Sequence, residues 1–253
     1  MNISKDINNI ITTLNKKCVL CLLYQSHNKI SPINQVRSLL WKNYIITPNT
    51  YPYFKNHMLI LSTDHNHGND GINGTQIILH KDRKILLDMM SFYFLLGKKG
   101  TMFFNGLIGN SQLHFHFHIT SEEIPMKEIL YAKNELNFES FKTKKNNTIL
   151  FFKKNNIDCL NGILLYGNYK TLSYEMFNLL KSIDNKKILY NIVFIENKED
   201  NYYNENITCI LYLRKKLDNK NSEDFNLGAS SFGGFLLTDK NDKNKLKSSN
   251  FIK

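Results

Sequence analysis

The chain has 253 residues, of which 42% are hydrophobic and 22% charged, a composition typical of a globular protein with a sizeable core. No apolar run approaches the roughly 20 residues that a membrane-spanning helix needs, which argues against a membrane partner. The formal charge of +11 suits an anionic ligand, but the lysines are scattered, so nucleic acid is not favoured over a small anionic substrate.

The two ends of the sequence carry no targeting signal or core pattern. The first ten residues, MNISKDINNI, lack the basic and then apolar order of a secretory signal, so we expect a cytoplasmic protein. Residues 238–253 are rich in Lys and Asn, and we expect them to form a disordered basic tail.

A C-x-x-C pair, Cys18 and Cys21, is the first motif along the chain. In an intracellular protein such a pair favours metal or redox chemistry over a disulfide framework. A pair of buried thiols is the alternative, because the neighbouring residues are apolar.

The next elements are predicted to be β-strands. The segment QVRSLLWKNYIITP predicts two strands joined by a tight turn near Lys42 and Asn43, and NHMLILS predicts a third. A helix follows in the segment DRKILLDMMSFYFLLG, with Asp82 as its cap and Gly97 as its end.

Two more strands, TMFFN and LHFHFHIT, complete the first half, and the second of them carries three histidines. Side chains alternate across a strand, so His114, His116 and His118 are expected on one face, with Phe115 and Phe117 on the other. All eight histidines of the chain occur at or before His118, which predicts that the chemistry lies in the first half.

A polar connection that includes a helical piece is expected up to about residue 146. The second half that follows has the order strand-strand-helix-strand-strand, similar in layout to the first half. The sequence therefore predicts an α+β fold of two related halves, each an antiparallel sheet with a packed helix. We expect a catalytic half at 1–121, a degenerate half at 122–237 and the tail at 238–253.

These segments resemble the histidine-triad superfamily, in its branch of galactose-1-phosphate uridylyltransferases, dinucleoside tetraphosphate phosphorylases and GDP-hexose phosphorylases. The stretches FFNGLIGNSQLHFHFH and NTYPYFKNHMLILSTDH carry the resemblance in the first half, and YNIVF with LGASSFGGFLL carries a looser one in the second. The resemblance spans roughly residues 14 to 237.

The resemblance implies a nucleotidyltransferase or phosphorylase that forms a nucleotidyl-histidine intermediate. An imidazole is a good nucleophile near neutral pH, and the resemblance gives that role to the middle histidine, His116. The other implied residues hold the substrate and its phosphates or assist catalysis: Asn49, Asn105, Gly109, Asn110, Ser111, Gln112, His118 and Arg214.

The third triad position leaves the acceptor open. The transferases and phosphorylases of this branch usually carry Gln there, whereas the hydrolytic members carry His, as His118 is here. The acceptor is accordingly phosphate or a sugar phosphate in one interpretation and water in the other. A third interpretation is a catalytically inactive protein that binds nucleotides or RNA.

The resemblance also implies a structural zinc ion and is compatible with a homodimer. Some members hold zinc through C-x-x-C, a histidine at the end of the upstream strand and the first triad histidine, which correspond to Cys18, Cys21, His65 and His114. Four nitrogen and sulfur ligands suit a closed tetrahedral zinc site.

Overall fold

The computed structural model describes nine parts of the chain: residues 20, 38–63, 83–106, 114–125, 137–142, 147–153, 162–185, 189–196 and 204–214. They contain two helices, α1 (Arg83–Leu95) and α2 (Tyr169–Asn185), and ten strands. The strands are β1 (Leu39–Trp41), β2 (Tyr44–Pro48), β3 (Met58–Ser62), β4 (Thr101–Phe104), β5 (His116–Thr120), β6 (Asn137–Lys142), β7 (Thr148–Lys153), β8 (Gly162–Asn168), β9 (Leu189–Ile195) and β10 (Asn206–Arg214). No helix among these residues is long and apolar enough to cross a membrane.

All ten strands form one sheet in the order β1-β2-β3-β5-β4-β9-β10-β8-β7-β6, and every neighbouring pair is antiparallel. Each half of the chain contributes three strands, a helix and two more strands. The two sets of five meet where β4 pairs with β9. Counted from its own edge of the sheet, each set places its first, second, third, fifth and fourth strands in that order.

The helices cover one face of this sheet. The core there contains Met89 and Tyr93 of α1, Met176 of α2, and Phe117 and Phe194 of the sheet, and so draws on both halves. We call this the helix face. The opposite face, which carries His116 and His118, is called the histidine face.

Local sequence explains most element boundaries. The turn between β1 and β2 falls at Lys42 and Asn43 as predicted, with Lys42 at φ 51°. Helix α1 ends before Gly97, whose φ of 75° suits a residue without a Cβ. Helix α2 begins at Tyr169, because the Asn168 Oδ1 before it accepts a hydrogen bond from the Lys170 amide at 3.0 Å.

The polar connection before residue 146 was predicted wrongly. It contains β6, which pairs with β7 at the edge of the sheet and gives the second half a third strand before its helix. An edge strand pairs with a neighbour on one side only, so it does not need the long apolar run of a central strand. Its sequence, NFESFK, lacks such a run.

Candidate active site

Strand β5 lies between β3 and β4 and fixes the position of two histidines. His116 is opposite Leu61 of β3, while His118 is opposite Leu59 of β3 and Phe103 of β4. Both imidazoles are buried on the histidine face, and the intervening Phe117 is buried in the core on the helix face. The predicted alternation is therefore present within the strand.

His116 has a defined ring orientation. Its Nδ1 lies 2.7 Å from the carbonyl oxygen of His114, and a carbonyl can only accept. Nδ1 must therefore carry the proton, which leaves the lone pair of the neutral ring on Nε2. The His116 and His118 rings are 4.9 Å apart between centroids.

His118 belongs to a chain of hydrogen bonds that starts at Asn49. The Tyr51 amide donates to Asn49 Oδ1 at 3.1 Å, so the Asn49 atom that faces His57 is the Nδ2 donor, 3.2 Å from Nδ1. His57 Nε2 lies 2.9 Å from His118 Nδ1.

This chain sets the tautomers of both rings. Asn49 Nδ2 also lies 3.3 Å from His57 Nε2, but Nε2 makes the shorter contact, 2.9 Å, to His118 Nδ1, so we assign the Asn49 donor to Nδ1. The His57 proton is then on Nε2 and is shared in the hydrogen bond to His118 Nδ1. The proton of neutral His118 is consequently on Nε2. The site thus presents a lone pair on His116 next to an N–H donor on His118.

The electrostatics keep the histidines neutral. Burial lowers the pKa of His116 to about 4, against the raising effect of its hydrogen bond to the His114 carbonyl. Burial, followed by the charge of His116, lowers the pKa of His57 to about 4 and that of His118 well below its usual value. Near pH 7 each of the three imidazoles is therefore neutral, with a lone pair on one nitrogen, as a nucleophile requires.

Aromatic rings pack against both His57 and His118. Phe103 stacks on His118 with centroids 4.6 Å apart and an interplanar angle of 6°. Tyr53 packs edge-on against His57 at 4.5 Å and is 40% exposed, so it lies between the pair and solvent. These contacts restrict the rotation of both imidazoles.

His114 precedes β5 and differs from the other two triad histidines. It is buried, and its Nε2 donates to the carbonyl oxygen of Ser62 at the end of β3, at 2.9 Å. The carbonyl fixes the proton on Nε2, so Nδ1 is the nitrogen with ligand character in the neutral ring. No three potential metal ligands cluster among the described residues.

The structure brings some of the predicted site residues together. Asn49 reaches His57, and Asn105 is buried directly after β4. Arg214 is the last residue of β10, where its backbone pairs with Leu189. The other candidates lie outside the described residues: Cys18, Cys21, His65, Gly109, Asn110, Ser111 and Gln112.

His57 belongs to the hydrogen-bond chain from Asn49 to His118 and was not singled out from the sequence. Its position just before β3 made it detectable, since β3 neighbours the histidine strand β5. The tertiary register, in which Leu59 faces His118, then places His57 beside the third triad histidine.

No protein-family model and no curated protein matches the chain. Among solved structures, the yeast Ap4A phosphorylase Apa2 superposes with a TM-score of 0.54 at 14% identity, over 81% of this chain and 67% of that chain. Its complex with AMP gives 0.49 at 16% identity, over 81% and 68%. The expected similarity to dinucleoside tetraphosphate phosphorylases is therefore confirmed at the level of the fold. This chain shares the fold of the yeast Ap4A phosphorylase Apa2.

Proposed function

We propose that the protein is a nucleotidyltransferase of the phosphorylase type. It would cleave a dinucleoside polyphosphate or a nucleoside diphosphate sugar through a nucleotide bound covalently to His116. The observation that carries this proposal is the neighbouring pair of imidazoles with opposite tautomers, the His116 lone pair and the His118 donor. The fold shared with an Ap4A phosphorylase supports the choice of substrate class.

The chemistry consists of two displacements at one phosphorus atom. In the first, His116 Nε2 attacks the α-phosphorus, and the bond from phosphorus to the bridging oxygen breaks. The leaving oxygen keeps the electron pair, and His118 Nε2–H stabilises it by donating a hydrogen bond. In the second, an oxygen of inorganic phosphate attacks phosphorus, and the electron pair returns to His116.

Replacing His116 with Asn tests the covalent step, because Asn keeps a polar side chain but cannot form the phosphoramidate. We expect turnover of Ap4A and of nucleoside diphosphate sugars to fall by at least about 10³-fold. Mass spectrometry of the wild-type protein should show a nucleotidyl adduct that the variant lacks. Phe117→Leu, on the other face of the same strand, is the matched control and should keep its activity. Unchanged turnover in the His116 variant would disprove the assignment.

A hydrolase is the second candidate, favoured by the His118–His57 pair in place of a glutamine. In this version water replaces phosphate in the second displacement. Product analysis of Ap4A with and without phosphate separates the two, since the transferred AMP is released as ADP by the phosphorylase and as AMP by the hydrolase, with ATP as the other product of both. If phosphate changes neither rate nor product, the phosphorylase proposal is wrong and the hydrolase stands.

We also propose that Cys18, Cys21, His65 and His114 hold a structural zinc ion. Two contacts support this donor set. Leu20, between the two cysteines in sequence, packs with Leu59 and Leu61 of β3, and the Nε2–H of His114 is bonded to a carbonyl as in many ligating histidines. Metal analysis of the purified protein should give about one zinc ion per chain, and chelation should lower its melting temperature.

A common origin of the two halves is part of this proposal. Each half has the order of three strands, a helix and two strands, and the halves meet through equivalent strands, β4 and β9. A duplication in which only the first copy retained histidines accounts for both features.

A further inference from the structure

Strand β4 leaves the sheet at a point held by the second half of the chain. The amide of Gly106 donates to Asn191 Oδ1 of β9 at 2.9 Å. A Cβ on Gly106 would lie 2.2 Å from the carbonyl oxygen of Tyr190, so the backbone approaches β9 too closely for any other residue. Asn191 therefore holds this backbone in place with one side of its amide.

The other side of the Asn191 amide is unsatisfied. The Gly106 contact identifies the bonded atom as Oδ1, so the two N–H donors of Nδ2 point away from it. Asn191 is completely buried, and Nδ2 has no hydrogen-bond partner among the described residues. A buried donor without an acceptor is costly, so an acceptor offered by a ligand would stabilise this side chain.

The sheet register aligns Asn191 with the catalytic histidine. Phe103 is opposite His118 on one side and Val193 on the other. Continued two residues beyond Phe103, past the paired part of β4, this register brings Asn105 level with His116 and Asn191. Asn191 and Val193 share the histidine face, because Ile192 and Phe194 belong to the core on the helix face. Asn191 and His116 are therefore in one row, two strand spacings or about 10 Å apart.

We propose that Asn191 binds the phosphate chain of the substrate, with Nδ2 donating to an oxygen of a phosphate next to the one that His116 attacks. The inference rests on the proposed function and adds to it a binding residue from the histidine-free half. A phosphate chain extends several ångströms beyond the attacked phosphorus, and its anionic oxygens are strong acceptors for a buried amide. Gly106 and Asn191 Oδ1 then fix the amide so that the donors face the histidine row.

Asn191→Asp separates the two functions of this side chain. The aspartate keeps an acceptor for the Gly106 amide but replaces the donor with a negative oxygen. Asn147→Asp is the matched control, since Asn147 is equally buried, has an unpartnered Nδ2 and accepts from Thr171 through Oδ1, but lies next to β7. Both variants change the charge by the same amount.

The test is calorimetric titration of the full-length protein with inorganic tripolyphosphate at pH 8. Asn191→Asp should raise Kd by about tenfold or more, while Asn147→Asp should stay within about twofold of the wild type. If the aspartate variant does not fold, Asn191→Ala should show the same loss without an added charge. Equal affinities in wild type and Asn191 variants, equal weakening in the Asn147 control, or no binding by the wild type would each overturn the proposal.

Failure of this proposal is distinguishable from failure of the proposed function. A wild-type nucleotidyl adduct together with unchanged tripolyphosphate binding in Asn191→Asp refutes only the role of Asn191. Binding that depends on Asn191 without any adduct on His116 refutes only the covalent mechanism.

Discussion

The tautomers of the three buried imidazoles, His57, His116 and His118, are set by their hydrogen-bond partners. His116 donates a hydrogen bond to a carbonyl two residues earlier, and His118 accepts one from His57, which is oriented by Asn49. A free imidazole exchanges between tautomers, but each ring here has one nitrogen committed to a fixed partner. The result is a lone pair on His116 Nε2 and an N–H donor on His118 Nε2, two residues apart on the same face.

The lowered histidine pKa values predict an acid-labile fold. His57 and His116 titrate at about 4 in the folded state and near 6.5 when unfolded, so the unfolded chain binds more protons between these values. The stabilisation is full above about pH 6.5 and is lost as the pH falls toward 4, by roughly 1–3 kcal/mol for each imidazole. Urea unfolding across this range should show the loss.

A variant provides the control for this pH dependence. His57→Asn removes one titrating ring, so its free energy of unfolding should decline less steeply with falling pH than that of the wild type. A wild-type stability that is flat between pH 6.5 and 4 would show that the rings are not buried as described.

At the scale of elements, the two faces of β5 differ: one packs in the core and the other carries the histidines of the candidate site. Phe117 is fully buried among the rings of Tyr44 and Phe92 on the helix face, whereas His116 and His118 occupy the opposite face. The period-two alternation lets one strand serve the core and the site at once.

This division predicts opposite effects for neighbouring substitutions. Phe117→Ala should lower the free energy of unfolding by about 3–5 kcal/mol, because it leaves a cavity in the core. His116→Asn should abolish turnover while changing stability by much less. Denaturant unfolding of both variants checks this, and a Phe117 variant as stable as wild type would contradict the assigned faces.

At the scale of the molecule, the sheet and the core join both halves into one folding unit. Strand β4 would be an unpaired edge without β9, and α1 packs in the same apolar cluster as α2. Lys98, before β4, also donates to the side chain of Asn204 in the second half at 2.9 Å.

We therefore expect the fragment 1–121 not to fold on its own. The fragment should lack the cooperative unfolding transition that the whole chain shows, because its β4 edge and the apolar face of α1 would be exposed to water. Circular dichroism during urea titration is the measurement. Two separate transitions in the whole chain, or a cooperative transition in the fragment, would show that the halves are independent domains.

Local patterns were sufficient for elements whose periodicity is strong. The alternation of HFHFH, the turn at Lys42 and the end of α1 near Gly97 all follow from interactions within a few residues, and the structure shows each of them. Strand β6 could not be predicted in this way, because an edge strand carries a weak apolar signal and depends on pairing with β7.

The sequence by itself determined which residues are chemically able to act: histidines confined to the first half, on one face of one strand. Only the tertiary structure decided which nitrogen of each ring carries the proton, that His57 bonds to His118, and that Asn191 bonds to Gly106. Asn191 is 85 residues from its partner Gly106, and His57 is 61 residues from His118. The physical reason is that hydrogen-bond partners across a sheet are set by strand order and register, and neither is encoded in the periodicity of any single segment.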